Sequence, residues 1–188
     1  MYKDNYKTIN KLIETGYLSE DKKSIYNYGF FILLGYLVAL VVILISGFIN
    51  RLVFESLIFL ICAMSFRVNI GGFHFASSKF CFAVSYISIA LMPFFIKYLS
   101  INNFLAILII LSISIYIWLV APIDSPSKRL SPKAKLNLKK RINKLLIFWS
   151  SLVVLLYYLD MINFLMSLFF SYLLCLVLLL TAQVLYKR

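Results

Sequence analysis

Residues 28–49 run for 22 positions without a charged side chain, about the number an α-helix needs to cross a hydrocarbon core about 30 Å thick. In a bilayer such a helix satisfies its own backbone groups, so this run alone commits the chain to a membrane. Further apolar runs follow at 52–66, with helix continuing toward Gly71, and at 80–96, 104–121, 142–159 and 164–186. The third is interrupted near its end by Pro93. Six spans is the simplest count, and the fold class expected is all-α, a polytopic integral membrane protein of about six transmembrane helices. Composition agrees, with 63% of 188 residues hydrophobic and a mean hydropathy of +0.94, against about 45–50% apolar in soluble domains.

Charge sets the orientation. Lysine and arginine outnumber acids 19 to 7, and the excess is concentrated. Six spans with a cytoplasmic N-terminus put five basic residues before Tyr28 inside, with Arg67 and Lys79, eight between 122 and 144, and Lys187 and Arg188. Only Arg51 and Lys97 fall outside. That division is what the positive-inside rule demands, so both termini and the segment between the second and third spans are expected in the cytoplasm. A nucleic-acid partner is excluded, because the basic residues form no face on a soluble module. The polar segment 1–27 carries Ile9, Leu12, Ile13, Tyr17 and Leu18 at near-helical spacing. It reads either as an interfacial amphipathic helix or as a solvated arm. Residues 28–188 form the membrane domain. No cleavage pattern follows the first run, so that span is expected to be retained. The stretch 122–144 reads as a basic cytoplasmic loop, its first part held extended by Pro122, Pro126 and Pro132. Its charges suit orientation and contact with anionic lipid, or the docking of an acidic peptide.

Between the second and third spans lies a polar, glycine-broken passage containing Arg67, Gly71, Gly72, the sole histidine His74, Ser77, Ser78, Lys79 and Cys81. A histidine, a thiol and a flexible backbone at the bilayer edge are the parts of a cysteine protease. In unbroken helix, residues seven apart lie about 10.5 Å apart along the axis, too far for a hydrogen bond. Gly71 and Gly72 favour irregular backbone, and Ser78 is a good N-cap for a helix opening at Lys79. Cys81 would then sit at a helix N-terminus, where the dipole and Lys79 favour the thiolate and free N–H groups can receive an oxyanion. His74 would take the thiol proton and return it to the leaving amine.

Other side chains keep two readings open. Arg67 is either an interfacial anchor or a clamp for a substrate carboxylate or carbonyl. Asp124 is either a turn residue or an acid orienting His74. Glu55, about 28 Å from His74 if the chain between is helical, is expected to pair with Arg51 at i, i+4. Cys62 and Cys175 sit inside apolar runs and read as small apolar filler. Three cysteines without pair spacing give no disulfide framework, and no cofactor or metal motif is present. The competing class is a non-enzymatic transporter or channel-like protein with the glycine passage re-entrant. Sparse intramembrane charge and the lack of an inverted repeat speak against it. A third reading, a membrane partner that recruits acidic proteins through the basic loop, predicts that Cys81 substitutions are silent.

Taken together, Arg67, Gly72, His74 and Cys81, with Ala121-Pro122-Ile123-Asp124 leading into the basic loop, resemble the signature of the accessory gene regulator B (AgrB) family of membrane cysteine endopeptidases in quorum sensing. The resemblance covers nearly the whole chain. It implies Cys81 as nucleophile and His74 as general base, with Arg67 and Gly72 at motif positions, while Lys79 and Ser78 support the site by their place at the head of the expected helix. The implied partner is an AgrD-type precursor peptide whose acidic tail is cut off through a thioester on Cys81, leaving the upstream part to close as a thiolactone. The resemblance also implies a homodimer.

Overall fold

The computed structural model describes residues 15, 19–70, 78–99, 101–123 and 131–186, those at 20, 24 and 78–81 by backbone alone. The described residues form six α-helices: α1 Lys23–Asn50, entered through a 3₁₀ turn Glu20–Lys22, α2 Val53–Ile70, α3 Ser78–Tyr98, α4 Asn103–Val120, α5 Pro132–Tyr158 and α6 Ile162–Tyr186. Five contain a stretch long and apolar enough to cross a membrane, and the sixth contributes the shorter apolar helix Phe82–Tyr98. The protein is an all-α polytopic membrane protein.

Local chemistry sets the boundaries. Asn102 caps α4, its Oδ1 accepting from the N–H of Phe104 at 2.9 Å and of Leu105 at 3.4 Å. Ser131 caps α5 by accepting from Ala134 N–H at 3.3 Å, and Pro132 follows at the first helical position, where its missing N–H costs nothing. The fifth helix therefore starts at Pro132, not at Ile142 where the apolar run begins. The expected loop through 144 is shortened accordingly, because Lys133–Lys144 is charged but has no helix breaker, and the capping signal lies before it.

At the other end of the bundle the connections are tight. Arg51 takes a left-handed φ of 60°, Leu52 N–H reaches Gly47 O at 2.8 Å and Arg51 N–H reaches Phe48 O at 3.1 Å. Asp160 repeats the device, with φ 54°, Met161 N–H on Leu156 O at 3.0 Å and its own N–H on Tyr157 O at 3.2 Å. Both are helix-ending motifs that usually use glycine. The turn at Arg51 also removes the expected partnership with Glu55. Arg51 lies in the turn and Glu55 in the first turn of α2, so helical i, i+4 geometry does not apply, and no ion pair joins them among the described residues.

Contacts divide the chain into Met1–Val42 and Ile43–Arg188. Within the first unit, α1 is uncharged from Tyr28 onward. Within the second, α6 is the centre, packing against α2, α3, α4 and α5. Eight consecutive α6 residues, 165–172, are buried, the pattern of a helix enclosed on all sides. Ser171 Oγ donates to Phe59 O at 2.9 Å, and the rings of Phe66 and Tyr172 meet edge-on at 5.1 Å. Cys62 and Cys175 are free and buried in this core, as filler should be. Pro93 stays inside α3 rather than ending it. Its ring deletes the donor to Ile89 O in the preceding turn, and one residue on Ser46 Oγ of α1 donates to Ala90 O at 2.6 Å.

Candidate functional site

The last turn of α2 carries Arg67, and its final residue, Ile70, hands the chain to the glycine passage. Ile70 O accepts a hydrogen bond from Ile123 N–H at 3.1 Å. This bond ties the root of the α2–α3 connection to the root of the α4–α5 connection. The carbonyl is one of the four that a helix leaves without an internal donor, so the Ala121-Pro122-Ile123 passage serves as the α2 C-cap. Asp124, next in the chain, lies outside the described residues.

The α5 side is tied in as well. Lys139 Nζ donates to Ala121 O at 2.9 Å and to Trp118 O, and it stands 5.7 Å from the Trp118 ring centroid. A cation on the terminal carbonyls of α4 meets the negative end of that helix's dipole. Arg67 does the same for α2 by position. Its side chain is half-buried and its Nη1 fully so, an environment closer to a bundle interior than to a snorkelling anchor. One turn back, Ser65 Oγ accepts from Trp149 Nε1 at 3.0 Å and Asn69 Nδ2 donates to Ser65 O at 2.8 Å, which fixes α2 against α5.

Helix α3 begins at Ser78, so Cys81 falls in its first turn, where backbone N–H groups have no acceptor within the helix. Ser78 is the first helical residue, one position inside the expected cap, a difference within ordinary boundary uncertainty. His74 and Gly72 lie outside the described residues, as do the side chains of Ser78, Lys79 and Cys81. Among the described residues no cluster of three histidine, cysteine or acidic side chains is placed for a metal.

Sequence reasoning missed two contributors, Lys139 as the clamp on α4 and Ile123 as the cap on α2. Lys139 was one of eight basic residues with no distinguishing neighbour, and a backbone N–H carries no signal in a sequence at all.

The chain is 31% identical over 166 residues, 80% of its length and 78% of the relative's, to a protein of Clostridium perfringens (strain 13 / Type A) named AgrB-like protein 2. It is 29% identical over 167 residues, with the same coverage, to an AgrB-like protein of Clostridium perfringens (strain SM101 / Type A). No solved structure matches it significantly. A family model described as accessory gene regulator B spans residues 5–185, a range that includes Arg67, Gly72, His74 and Cys81, and the chain belongs to the AgrB family.

Proposed function

We propose that this protein is a membrane cysteine endopeptidase that removes the tail of an AgrD-type pheromone precursor. Family membership supplies the coarser statement, a role in quorum-sensing peptide processing. The observation that carries the finer one is the position of Cys81 in the first turn of α3, directly after the passage that bears the only histidine.

In this reading His74 accepts the Cys81 proton, and the sulfur attacks the carbonyl at the tail junction. Free N–H groups at the start of α3 receive the oxyanion. The C–N bond then breaks, the amine of the tail leaves with the proton from His74, and the upstream peptide remains as a thioester on Cys81. The thiol of an internal precursor cysteine attacks that thioester, its proton returning to the departing Cys81 sulfur, and a thiolactone results. Exchange of one thioester for another is close to balanced while hydrolysis is downhill, so water must be kept out until the ring closes. Arg67 would hold a peptide carbonyl or carboxylate, and the basic residues of 122–144 would attract the acidic tail. Gly72 would allow the passage to bend, while Ser78 and Lys79 would favour the thiolate at the head of α3. The same reading puts both termini and this end of the bundle in the cytoplasm and assembles two copies of the chain, in contact with membrane lipids.

Co-expression of the precursor with Cys81→Ala and His74→Ala variants tests the reading. Loss of tail cleavage in both is expected, with covalent peptide recovered on Cys81 in the wild type. Normal cleavage in either variant at equal protein level would overturn it.

A further inference from the structure

We propose that the groove between α4 and α5 is a binding site for one anionic phospholipid, with its head group at Lys139 and Lys140 and an acyl chain running past Ile147. Ser114 and Trp118 of α4 face Asn143, Ile147 and Ser150 of α5 across a cavity of about 350 Å³. The cavity opens sideways, since Trp118 is 51% and Ile147 72% exposed, and sideways from a membrane-spanning pair means toward lipid.

Charge selects the kind of occupant. The groove runs about 10.5 Å along α5 from Asn143 to Ser150. Helix α5 carries its basic residues toward the Asn143 end and none after Lys144. A molecule with one anionic head and an extended apolar body matches that order.

Polarity follows a lipid from head to tail. Lys139 and Lys140 precede Asn143 by four and three residues, so they share its helix face. Lys140 is exposed, and Lys139 spends two of its three N–H donors on α4 carbonyls. One turn deeper, the buried Oδ1 of Asn143 has no hydrogen-bond partner. Because the amide oxygen and nitrogen exchange places by a flip, this side chain can turn a donor to a glycerol ester carbonyl at the depth where such an ester lies. Ser114 and Ser150, with their Oγ atoms 3.5 Å apart, mark the deeper end, about 15 Å from Lys140, which is half the thickness of a hydrocarbon core. Beyond it the walls are apolar and exposed at Leu111 and Val154.

The chain has two tryptophans. Trp118 lines the groove, while Trp149 is 5% exposed and adds a constant background. The full chain is reconstituted in phosphatidylcholine vesicles containing 10 mol% of a lipid brominated on its acyl chains, either phosphatidylglycerol or phosphatidylcholine, and tryptophan quenching is read. Brominated phosphatidylglycerol is expected to be enriched at Trp118 about fivefold over phosphatidylcholine, the preference that one basic residue confers. Lys140→Gln and Asn143→Leu should each cut the enrichment to twofold or less. Equal quenching by the two lipids in the wild type overturns the proposal. So does enrichment that survives both substitutions, which would make it a general effect of surface charge, or displacement of the brominated lipid by an uncharged extended peptide. The readout needs no peptidase activity, so it stands or fails separately from the cleavage reaction.

Discussion

The two ends of the helical bundle are built on opposite plans. At one end α1 joins α2, and α5 joins α6, through turns so short that Arg51 and Asp160 accept left-handed backbone, with φ 60° and 54°. Gly47 there lies so close to α2 that an added Cβ would stand 2.9 Å from Ser56 Oγ and 3.2 Å from Val53 Cα. At the other end the connections span residues 71–77 and 121–131, and among the described residues their roots are tied through Ile123 on Ile70 and Lys139 on Ala121 and Trp118. The difference teaches where chain length is kept. An end that only reverses direction is pulled tight, and the end that bears the motif residues has longer connections whose roots are tied to each other.

Substitutions at the two ends should therefore fail in different ways. The largest effect expected is at the open end, where Cys81→Ala should lower precursor cleavage by at least about 10³-fold while the thermal midpoint in detergent stays within about 2 °C. A comparable loss of folding would place Cys81 in the structure rather than the chemistry. Next, Gly47→Leu at the tight end should destabilise by about 3 kcal/mol through overpacking, seen as reduced folded yield, with normal cleavage per folded molecule. Lys139→Met crosses the comparison, removing two charge-assisted bonds. A stability loss of about 1.5–3 kcal/mol together with slower cleavage would show that the roots position the open end, and unchanged cleavage would show that they do not. Smallest, and opposite in sign, Arg51→Gly should stabilise by about 1 kcal/mol, because glycine adopts positive φ without the Cβ conflict. A neutral or destabilising result would mean that the arginine side chain does more than tolerate the turn.

Much of this was legible before any coordinates. Apolar runs of this length point to membrane helices, so the six elements are legible in hydropathy, and Cys62 and Cys175 are legible as core in their neighbours. The start of α5 was misread because hydropathy reports where lipid begins, whereas Ser131 and Pro132 report where helix begins, and the two differ wherever a helix extends past the bilayer. Pro93 reads as an interruption because proline lacks the helical donor, yet the helix runs through it to Tyr98. For the site, the sequence offered residue types and spacing, Arg67, Gly72, His74 and Cys81. The tie between Ile70 and Ile123 links positions 53 apart through main-chain atoms, and side-chain identity does not encode it.

Helix α6 is the wall against which α2, α3, α4 and α5 all rest, yet it is synthesised after every one of them. Until it enters the bilayer, the Phe66 ring lacks the Tyr172 ring it meets edge-on, and the carbonyl of Phe59 lacks the hydroxyl that Ser171 brings. The earlier spans can meet one another through the Ser65–Trp149 and Ile70–Ile123 bonds, and their packing is complete only once α6 has left the ribosome.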